Sequence, residues 1–299
     1  MHGGVKFYRG APKAARQYVE RDCARYDDYY LTEGDGIAMR FVAEAEGSDG
    51  DREVRVEKKQ DMDGEAYEGW VAGMVVETGQ PKGRLRKDAN GLRFVEVTIN
   101  GPKTWSLAAA LHPEVSAALD AAQEHAAKEI IDYLAKYATT RVGPRGRQVQ
   151  VPVEQIEAAV IRHHTSRAGD PHRHLHLQIN ARVLVSAGST SEQVWRGLHS
   201  VGVRDMIEAI NGIGHTAIAT DPEFRAALAN AGLTMEPETG EIQQLAPYVG
   251  AFSARTAQIR ANVDWYEAQW RAEHPEGEPG SRLRAAWDRR AWAEVSPVM

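Results

Sequence analysis

Residues 162–180 read RHHTSRAGDPHRHLHLQIN and hold five of the 11 histidines of the chain. Successive side chains of a β-strand point to opposite faces, so the second half of this segment places histidines on one face and leucines on the other. Gly169, Asp170 and Pro171 are turn-forming residues. We therefore predict two strands, 156–165 and 174–186, that form an antiparallel hairpin closed by residues 166–173. The leucine face is expected to enter a core, and the histidine face to be polar.

The histidine face of this hairpin predicts a metal site. His174 and His176 are two residues apart on one strand, and the hairpin brings His163 of the other strand beside them. Three imidazole ligands that leave further coordination positions open are typical of a catalytic metal ion. A His-x-His pair alone is weak evidence, because a single histidine is more often a surface or hydrogen-bonded side chain. His164 and His172 remain ambiguous, since one points away from His163 and the other lies in the turn.

Elements on both sides of the hairpin indicate an α+β fold. Alternation of apolar and polar residues predicts strands, and apolar residues three or four apart predict helices. The predicted strands are 37–42, 53–57 and 93–99, and the predicted helices are 11–30 and 113–138. Beyond residue 186 the pattern is helical, with interruptions at 237–240 and 275–280. We expect a central antiparallel sheet flanked by helices over residues 1–200, and a mostly helical part over residues 201–299.

The composition of the 299 residues is that of a globular protein, with 42% hydrophobic and 26% charged residues. The charges sum to 36 − 42 = −6, so binding of DNA would have to use local basic patches. No run of 18 or more apolar residues occurs, which argues against membrane insertion. The single cysteine, Cys23, cannot form an internal disulfide. We therefore expect a protein of the reducing cytoplasm.

A cluster of tyrosines near the N-terminus is a candidate set of nucleophiles. Tyr18, Tyr26, Tyr29 and Tyr30 lie within thirteen residues. A phenol has an ordinary pKa of about 10, so it attacks a phosphate only when a base takes its proton and a metal polarises the acceptor. Tyrosines beside a helix are more often packing residues. The cluster therefore gains weight only together with the metal site.

Three ordered blocks of the sequence resemble the MobF-type conjugative relaxases, which belong to the HUH (His-hydrophobic-His) endonucleases. The first block contains Tyr18 and residues 27–36, DDYYLTEGDG. The second is residues 96–106, EVTINGPKTWS, and the third is the histidine hairpin from His163 to Asn180. The blocks occur in the order that the family has.

The resemblance implies a palm-like HUH fold and a reaction at the transfer origin of a plasmid. In this reaction a tyrosine cuts one DNA strand, stays linked to the 5′-phosphate and later allows the strand to be rejoined. The implied cofactor is one divalent metal ion, which is Mn, Zn, Ni, Co or Mg. Its implied ligands are His163, His174 and His176. The resemblance makes Tyr18 the first nucleophile and Tyr29 or Tyr30 the second.

The sequence departs from the family at three points. Glu96 stands where the family usually has Asp, so its side chain is longer by one methylene. The resemblance implies one of two roles for this residue, to accept the tyrosine proton or to orient a metal-bound histidine. Tyr18 is followed by Val19, so the first tyrosine pair of the family is a single tyrosine here. The distance to the second tyrosine cluster, Tyr29 and Tyr30, is also longer than in the family, and Tyr26 adds another candidate nucleophile. Full-length members carry a helicase after this domain, and no Walker-type phosphate loop occurs in the sequence. We therefore expect a relaxase fragment or a short mobilisation protein.

Basic residues are the expected contacts to single-stranded DNA. Two basic turns, 82–87 and 141–147, contain the candidates Arg84 and Arg145, and Lys103 and Arg167 flank the motifs. Exposed basic turns often serve solubility alone. We expect the helices of residues 201–299 to close over the DNA as a lid. The family further implies accessory relaxosome proteins and a coupling protein as partners.

Three alternative functions remain open at this point. A metal-dependent hydrolase would use water in place of tyrosine. A non-catalytic DNA-binding module would use its histidines only to stabilise the fold. A rolling-circle replication initiator would share the tyrosine chemistry but act at a replication origin.

Overall fold

The structure is a computed structural model. It describes residues 4–26, 36–47, 51–85, 91–144, 147–166, 168–186 and 192–295, with the backbone alone for residues 22–26. The strands in these ranges are β1 (Val5–Tyr8), β2 (Met39–Glu46), β3 (Glu53–Lys58), β4 (Phe94–Asn100), β5 (Thr139–Val142), β6 (Val149–Pro152), β7 (Gln155–Thr165), β8 (Pro171–Asn180), β9 (Arg182–Ser186) and β10 (Gln193–Gly197).

One antiparallel sheet forms the centre of the fold. Its strand order is β1-β4-β8-β7-β2-β3, and β9 and β10 extend it beside the beginning of β7. Strands β5 and β6 form a separate two-stranded ribbon. The histidine hairpin, β7 and β8, therefore occupies the middle of the sheet. Its neighbour on one side is β4, and its neighbour on the other is β2.

Helices cover both faces of this sheet. They are α1 (Pro12–Tyr26), α2 (Gly64–Ala72), α3 (Lys103–Leu111), α4 (Pro113–Tyr137), α5 (Ser200–Asp205), α6 (Ile207–Ala219), α7 (Pro222–Asn230), α8 (Ala254–Glu273) and α9 (Ser281–Val295). Helices α3, α4, α6 and α7 pack on one face in the main core, and α1 and α2 cover the other face. Among the described residues, none of the helices is long and apolar enough to cross a membrane.

The long helix predicted over 113–138 is confirmed as α4. Pro113 stands at its first position, where the missing N–H costs nothing. The apolar stripe that faces the sheet includes Val115, Leu119, Ala126 and Ile130, each at most 1% exposed. Helix α1 is confirmed from Pro12 to Tyr26, and the remainder of the predicted range, 27–30, lies outside the described residues.

Helix α2 was not expected from the sequence. Asp63 caps its N-terminus by accepting a hydrogen bond from the backbone N–H of Ala66. Gly73 ends it in the left-handed region, with φ of 85°. The helix presses Tyr67 and Trp70, both fully buried, onto the sheet. It therefore forms the roof over the face that carries the histidines.

The first basic turn contains a correction. The turn 82–87 was predicted to be exposed, as a phosphate contact or for solubility, but the side chain of its first residue, Lys82, is fully buried. Its Nζ lies 2.8 Å from Oε2 of Glu157, which also accepts the indole N–H of Trp70 at 3.0 Å. The guanidinium of Arg40 is 3.7 Å from the same oxygen. Lys82 is thus a structural ion-pair partner beneath α2.

Two further expectations about the hairpin region were wrong. The predicted strand 174–186 is two strands, β8 and β9, and β8 begins already at Pro171, so the turn is shorter than expected. Residues after Ser186 were expected to be helical, but Gln193–Gly197 form β10, which pairs with β9. The helical pattern is correct only from Ser200 onward.

The C-terminal helices fall into two packing groups. Ile210 and Ile218 of α6 and Phe224 of α7 belong to the main core. Helices α8 and α9 pack against each other around a small core of their own, formed by Ile259, Tyr266, Trp287 and Ala291. The domain boundary near residue 200 stays a prediction.

Candidate active site

The register of β7 and β8 places the candidate metal ligands side by side. His163 pairs directly with His174, and His176 follows two residues later on the same face. Leu175 and Leu177 point to the opposite face, where both are fully buried in the main core. The predicted division of the hairpin into an imidazole face and a leucine face is therefore confirmed.

The three rings have the mutual spacing of ligands around one ion. Their centroids are 5.1 Å apart for His163 and His174, 4.8 Å for His163 and His176, and 5.1 Å for His174 and His176. Imidazoles that share a metal ion hold their centroids roughly 4.5–5.2 Å apart, because the metal–nitrogen bonds are about 2.1 Å long. The spacing fits a single ion bound by three nitrogens.

The three rings are close enough to share an ion, but their nitrogens do not all point to one position. Within the part of the chain that the structure describes, no three His, Cys, Asp or Glu side chains form a finished metal-binding set as they stand. The rings of His163 and His174 are stacked with their planes 18° apart. Two nearly parallel rings do not aim their nitrogens at a common point. Rotation of one ring about its side-chain torsions is therefore needed for binding through all three.

The hydrogen bonds of His174 fix the form of the imidazole that a metal requires. Its Nδ1 lies 2.8 Å from the carbonyl oxygen of His172. Because a carbonyl only accepts, Nδ1 carries the proton and Nε2 keeps a free lone pair. Burial, followed by the positive charges of neighbouring histidines, holds the pKa of His174 well below its ordinary value. The ring is thus neutral, and the donor set fits a divalent ion bound through imidazole nitrogens.

Glu96 lies against the last of these histidines. Its Oε1 is 3.0 Å from Nδ1 of His176, although the approach is bent away from the best hydrogen-bond direction, and 3.4 Å from Nζ of Lys6. Its Oε2 accepts a hydrogen bond of 3.1 Å from Gln178. Burial raises the pKa of Glu96, but His176, Lys6 and Gln178 together outweigh it and lower this pKa to about 2. The carboxylate is therefore charged, and both of its oxygens are engaged.

Tyr18 faces the same space as Glu96. A cavity of about 140 Å³ is lined by Tyr18 of α1, Glu96 of β4 and His176 of β8, with Tyr8 and Tyr67 among the other walls. Helix α1 reaches this position because Ala15 and Val19 anchor it on the sheet. The sequence placed Tyr18 and Glu96 78 positions apart, and the fold brings them to one cavity.

The other predicted contacts are only partly within the described residues. Lys103 begins α3 and is half-buried, and burial lowers its pKa while the charge of Asp170 raises it. Arg84 is exposed. Four candidates lie outside the described residues, and they are Tyr29, Tyr30, Arg145 and Arg167.

Sequence reasoning missed three residues of the cavity that contact Glu96 or its hydrogen-bond partner. Lys6 lies on β1, Tyr67 on α2 and Gln178 on β8. Only Gln178 carried a signal, because strand alternation already placed it on the face of His174 and His176. Lys6 and Tyr67 reach the site through the pairing of β1 with β4 and through a helix that the sequence pattern did not predict.

Loss of one candidate ligand is expected to weaken metal binding strongly. Replacement of His174 by alanine should lower the affinity for Co²⁺ more than about 100-fold, since changes to groups that only support a ligand already cost about 10–100-fold. Calorimetric titration measures this. The matched control is His125→Ala on the outer side of α4, where the imidazole is exposed beside Glu129. Equal affinities of the two variants would show that His174 is not a ligand.

Comparison with known proteins gives one family match. The model of the TrwC relaxase family matches residues 12–293 of the chain. No curated protein sequence gives a match.

Several solved structures share the fold. The conjugative relaxase TrwC in its metal-bound complex with oriT DNA is 19% identical, with 99% of this chain and 92% of that chain covered and a TM-score of 0.59. The copper-bound complex is 20% identical, with the same coverage and a TM-score of 0.60. TrwC complexed with a 27-mer DNA comprising the recognition hairpin and the cleavage site is 19% identical, again with 99% and 92% covered, at a TM-score of 0.57. The predicted α+β fold with a central antiparallel sheet is confirmed.

Proposed function

The chain belongs to the TrwC relaxase family, and on that premise we propose that it nicks and rejoins one DNA strand at the transfer origin of a plasmid. The substrate is single-stranded DNA, in line with the complexes of TrwC with oriT DNA. The reaction is a transesterification that uses a tyrosine. The observation that carries this proposal is the common cavity of Tyr18, Glu96 and His176.

In the proposed reaction the phenol oxygen of Tyr18 attacks the scissile phosphorus. A bond forms between this oxygen and phosphorus, and the bond from phosphorus to the 3′-oxygen of the preceding nucleotide breaks. The phenol loses its proton, and the departing 3′-oxygen gains one and becomes a hydroxyl. One phosphodiester replaces another, so the protein-linked strand can be rejoined by the reverse attack.

The candidate ligands for a divalent ion are His163, His174 and His176. A metal ion held by these residues would polarise the phosphate and stabilise the charge that develops on its oxygens. Glu96 lies beside His176 with both oxygens already engaged. This arrangement supports a role in orienting His176 over a role as the proton acceptor for the tyrosine. Tyr29 or Tyr30 is proposed for a second transfer.

Contacts to DNA are proposed for Lys103, Arg84, Arg145 and Arg167, and the helices of residues 201–299 are proposed to close over the strand. Asp170, in the turn beside His172, accepts a hydrogen bond of 2.9 Å from the backbone N–H of Ala254. This contact joins the start of α8 to the histidine hairpin and supports a lid at that position. We further propose accessory relaxosome proteins and a coupling protein as partners, and a cytoplasmic location.

Lys103 provides a test of the DNA contacts. Lys103→Ala is expected to weaken binding of single-stranded DNA and to reduce the slope of log affinity against log salt by about 0.7, the contribution of one phosphate contact on a single strand. Fluorescence anisotropy at several salt concentrations measures both. Lys128→Ala on α4, where the ammonium pairs with Glu124, is the matched control and should leave the slope unchanged. An unchanged slope for Lys103→Ala would exclude the contact.

The proposed function is tested by trapping the covalent intermediate. The protein is incubated with Mn²⁺ and single-stranded oligonucleotides that tile the DNA around its gene, and the products are separated under denaturing conditions. A covalent adduct whose peptide maps to Tyr18 is the expected result. Cleavage without an adduct would point to a hydrolase that uses water, and binding without cleavage to a non-catalytic module. Either outcome would overturn the proposal.

A further inference from the structure

Glu96 and His176 do not stand directly opposite each other in the sheet. In the pairing of β4 with β8, the residue directly opposite Glu96 is Gln178, and the residue opposite His176 is Thr98. Glu96 and His176 are thus diagonal neighbours, whose Cα atoms are typically about 7–8 Å apart. The carboxylate must bend along the strand to approach the imidazole. Something has to hold it in this bent position.

A chain of buried hydrogen bonds holds it there. The hydroxyl of Tyr67 donates to Oε1 of Gln178 at 2.8 Å, and Nε2 of Gln178 donates to Oε2 of Glu96 at 3.1 Å. The remaining oxygen of Glu96 then faces Nδ1 of His176 at 3.0 Å. Two hydrogen bonds thus lead from Tyr67 to Glu96, and a close but bent contact leads from Glu96 to a candidate metal ligand.

The chemistry of the three groups allows only one direction for this chain. Burial raises the pKa of Tyr67 well above its ordinary value, so the phenol stays protonated and donates. A carboxylate only accepts. The amide of Gln178 must therefore turn its oxygen to Tyr67 and its nitrogen to Glu96. Reversal of the amide would place its oxygen against the carboxylate of Glu96, so that two acceptors would face each other.

Burial makes this arrangement stiff. Tyr67 is 0%, Gln178 4% and Glu96 8% exposed, so water does not compete for the three groups as it does at the surface. The side chain of Lys6, which also approaches Glu96, is 59% exposed and is a weak restraint by comparison. The fixed partner of Glu96 is therefore Gln178.

We propose that Gln178, oriented by Tyr67, is a positioning residue that fixes the carboxylate of Glu96 and, through it, the tautomer and tilt of His176. The role rests on the proposed function, since His176 is a metal ligand there. Glu96 held in this way stands 3.0 Å from Nδ1 of His176, and a small rotation of the ring lets it accept the Nδ1 proton and leaves Nε2 for the metal. Gln178 and Tyr67 line the same cavity as Tyr18, and the proposal gives them no bond to the reacting atoms.

The test compares metal binding in four variants with the intact protein, with Co²⁺ alone as the probe. Gln178→Met keeps the volume and removes both hydrogen bonds, and Tyr67→Phe removes a single oxygen. The double variant combines the two. Thr140→Val is the matched control, because it removes one buried hydroxyl bond of 2.6 Å, from Thr140 of the separate ribbon to the carbonyl of Gly197 in β10. Affinity, the visible absorption band of bound Co²⁺ and thermal unfolding are measured for each.

We expect Gln178→Met to weaken Co²⁺ binding about tenfold, the lower end of the range for groups behind a ligand, and to shift the absorption band. Tyr67→Phe should weaken it about threefold, and Thr140→Val by less than about twofold. The double variant should bind no more weakly than Gln178→Met, since Tyr67 acts through Gln178. If Gln178→Met does not fold, Tyr67→Phe decides the matter.

Unchanged Co²⁺ affinity and absorption in folded variants would overturn the inference, as would additive losses of stability without any change at the metal. Absence of Co²⁺ binding by the intact protein would overturn it as well. Formation of the covalent DNA adduct is measured in parallel to separate the two proposals. A protein that gives no adduct but shows the expected changes in Co²⁺ binding retains the positioning role and loses the proposed function. A protein that forms the adduct normally, but whose variants bind Co²⁺ like the intact protein, retains the proposed function and loses the positioning role.

Discussion

Replacement of Tyr18 by phenylalanine is expected to lower the rate of covalent adduct formation at least about 1,000-fold, because a phenyl ring has no oxygen that can attack the phosphorus and the proposal assigns the first attack to Tyr18 alone. The change deletes one oxygen and keeps the aromatic ring in the cavity wall. Affinity for single-stranded DNA should therefore change by less than about twofold. A quenched-flow assay of adduct formation, combined with anisotropy for binding, separates the two effects.

Tyr8 provides the matched control. It lines the same cavity, and its hydroxyl donates to the carbonyl oxygen of Ala11 at 2.9 Å, at the start of α1. Tyr8→Phe therefore removes the same atom from the same space and should keep the rate within about threefold of the original. If Tyr18→Phe forms the adduct at the full rate and the adduct peptide maps to Tyr29 or Tyr30, the first attack belongs to that residue and not to Tyr18.

Replacement of Lys82 by methionine is expected to lower the free energy of unfolding by about 3–5 kcal/mol. The substitution leaves the carboxylate of Glu157, which is 2% exposed, with a buried charge that has lost its closest cation. Arg40 stands 3.7 Å from the same oxygen and is also paired with Glu77, so it compensates only in part. Chemical denaturation measures the change.

Arg84→Met is the control for this prediction, two residues along the chain and exposed. It should change the free energy of unfolding by no more than about 0.5 kcal/mol. Addition of Glu157→Gln to Lys82→Met should recover part of the lost stability, because a neutral amide oxygen still accepts the indole N–H of Trp70. If Lys82→Met is as stable as Arg84→Met, the buried pair does not stabilise the fold.

The geometry of the hairpin that the sequence predicted correctly follows from local periodicity. The alternation from His174 to Ile179 assigns each side chain to a face of β8, and the turn residues fix which strand lies opposite. These rules need no knowledge of distant residues. The pairing of His163 with His174 was therefore within reach, and it is confirmed. The family resemblance read from the three blocks is confirmed as well.

The missed parts depend on partners far away in the chain. Helix α2 is short and has a glycine inside it, Gly69, so its amphipathic pattern is weak. Lys82 resembled its exposed basic neighbours because its partner, Glu157, is 75 residues away. Similarly, Gln178 gained its role only when α2 placed Tyr67 above it. Local sequence carried no trace of these contacts.

Both faces of strand β8 carry side chains that the structure needs. Its leucines fill the main core, while its histidines and Gln178 build the opposite face. Insertion or deletion of one residue within the strand would exchange the two sets, with imidazoles sent into the core and leucines into the cavity. Within this hairpin, proteins that descend from this one are therefore expected to gain or lose residues only in the turn between Thr165 and Pro171. The spacing His-x-His should be inherited unchanged even where neighbouring residues are substituted.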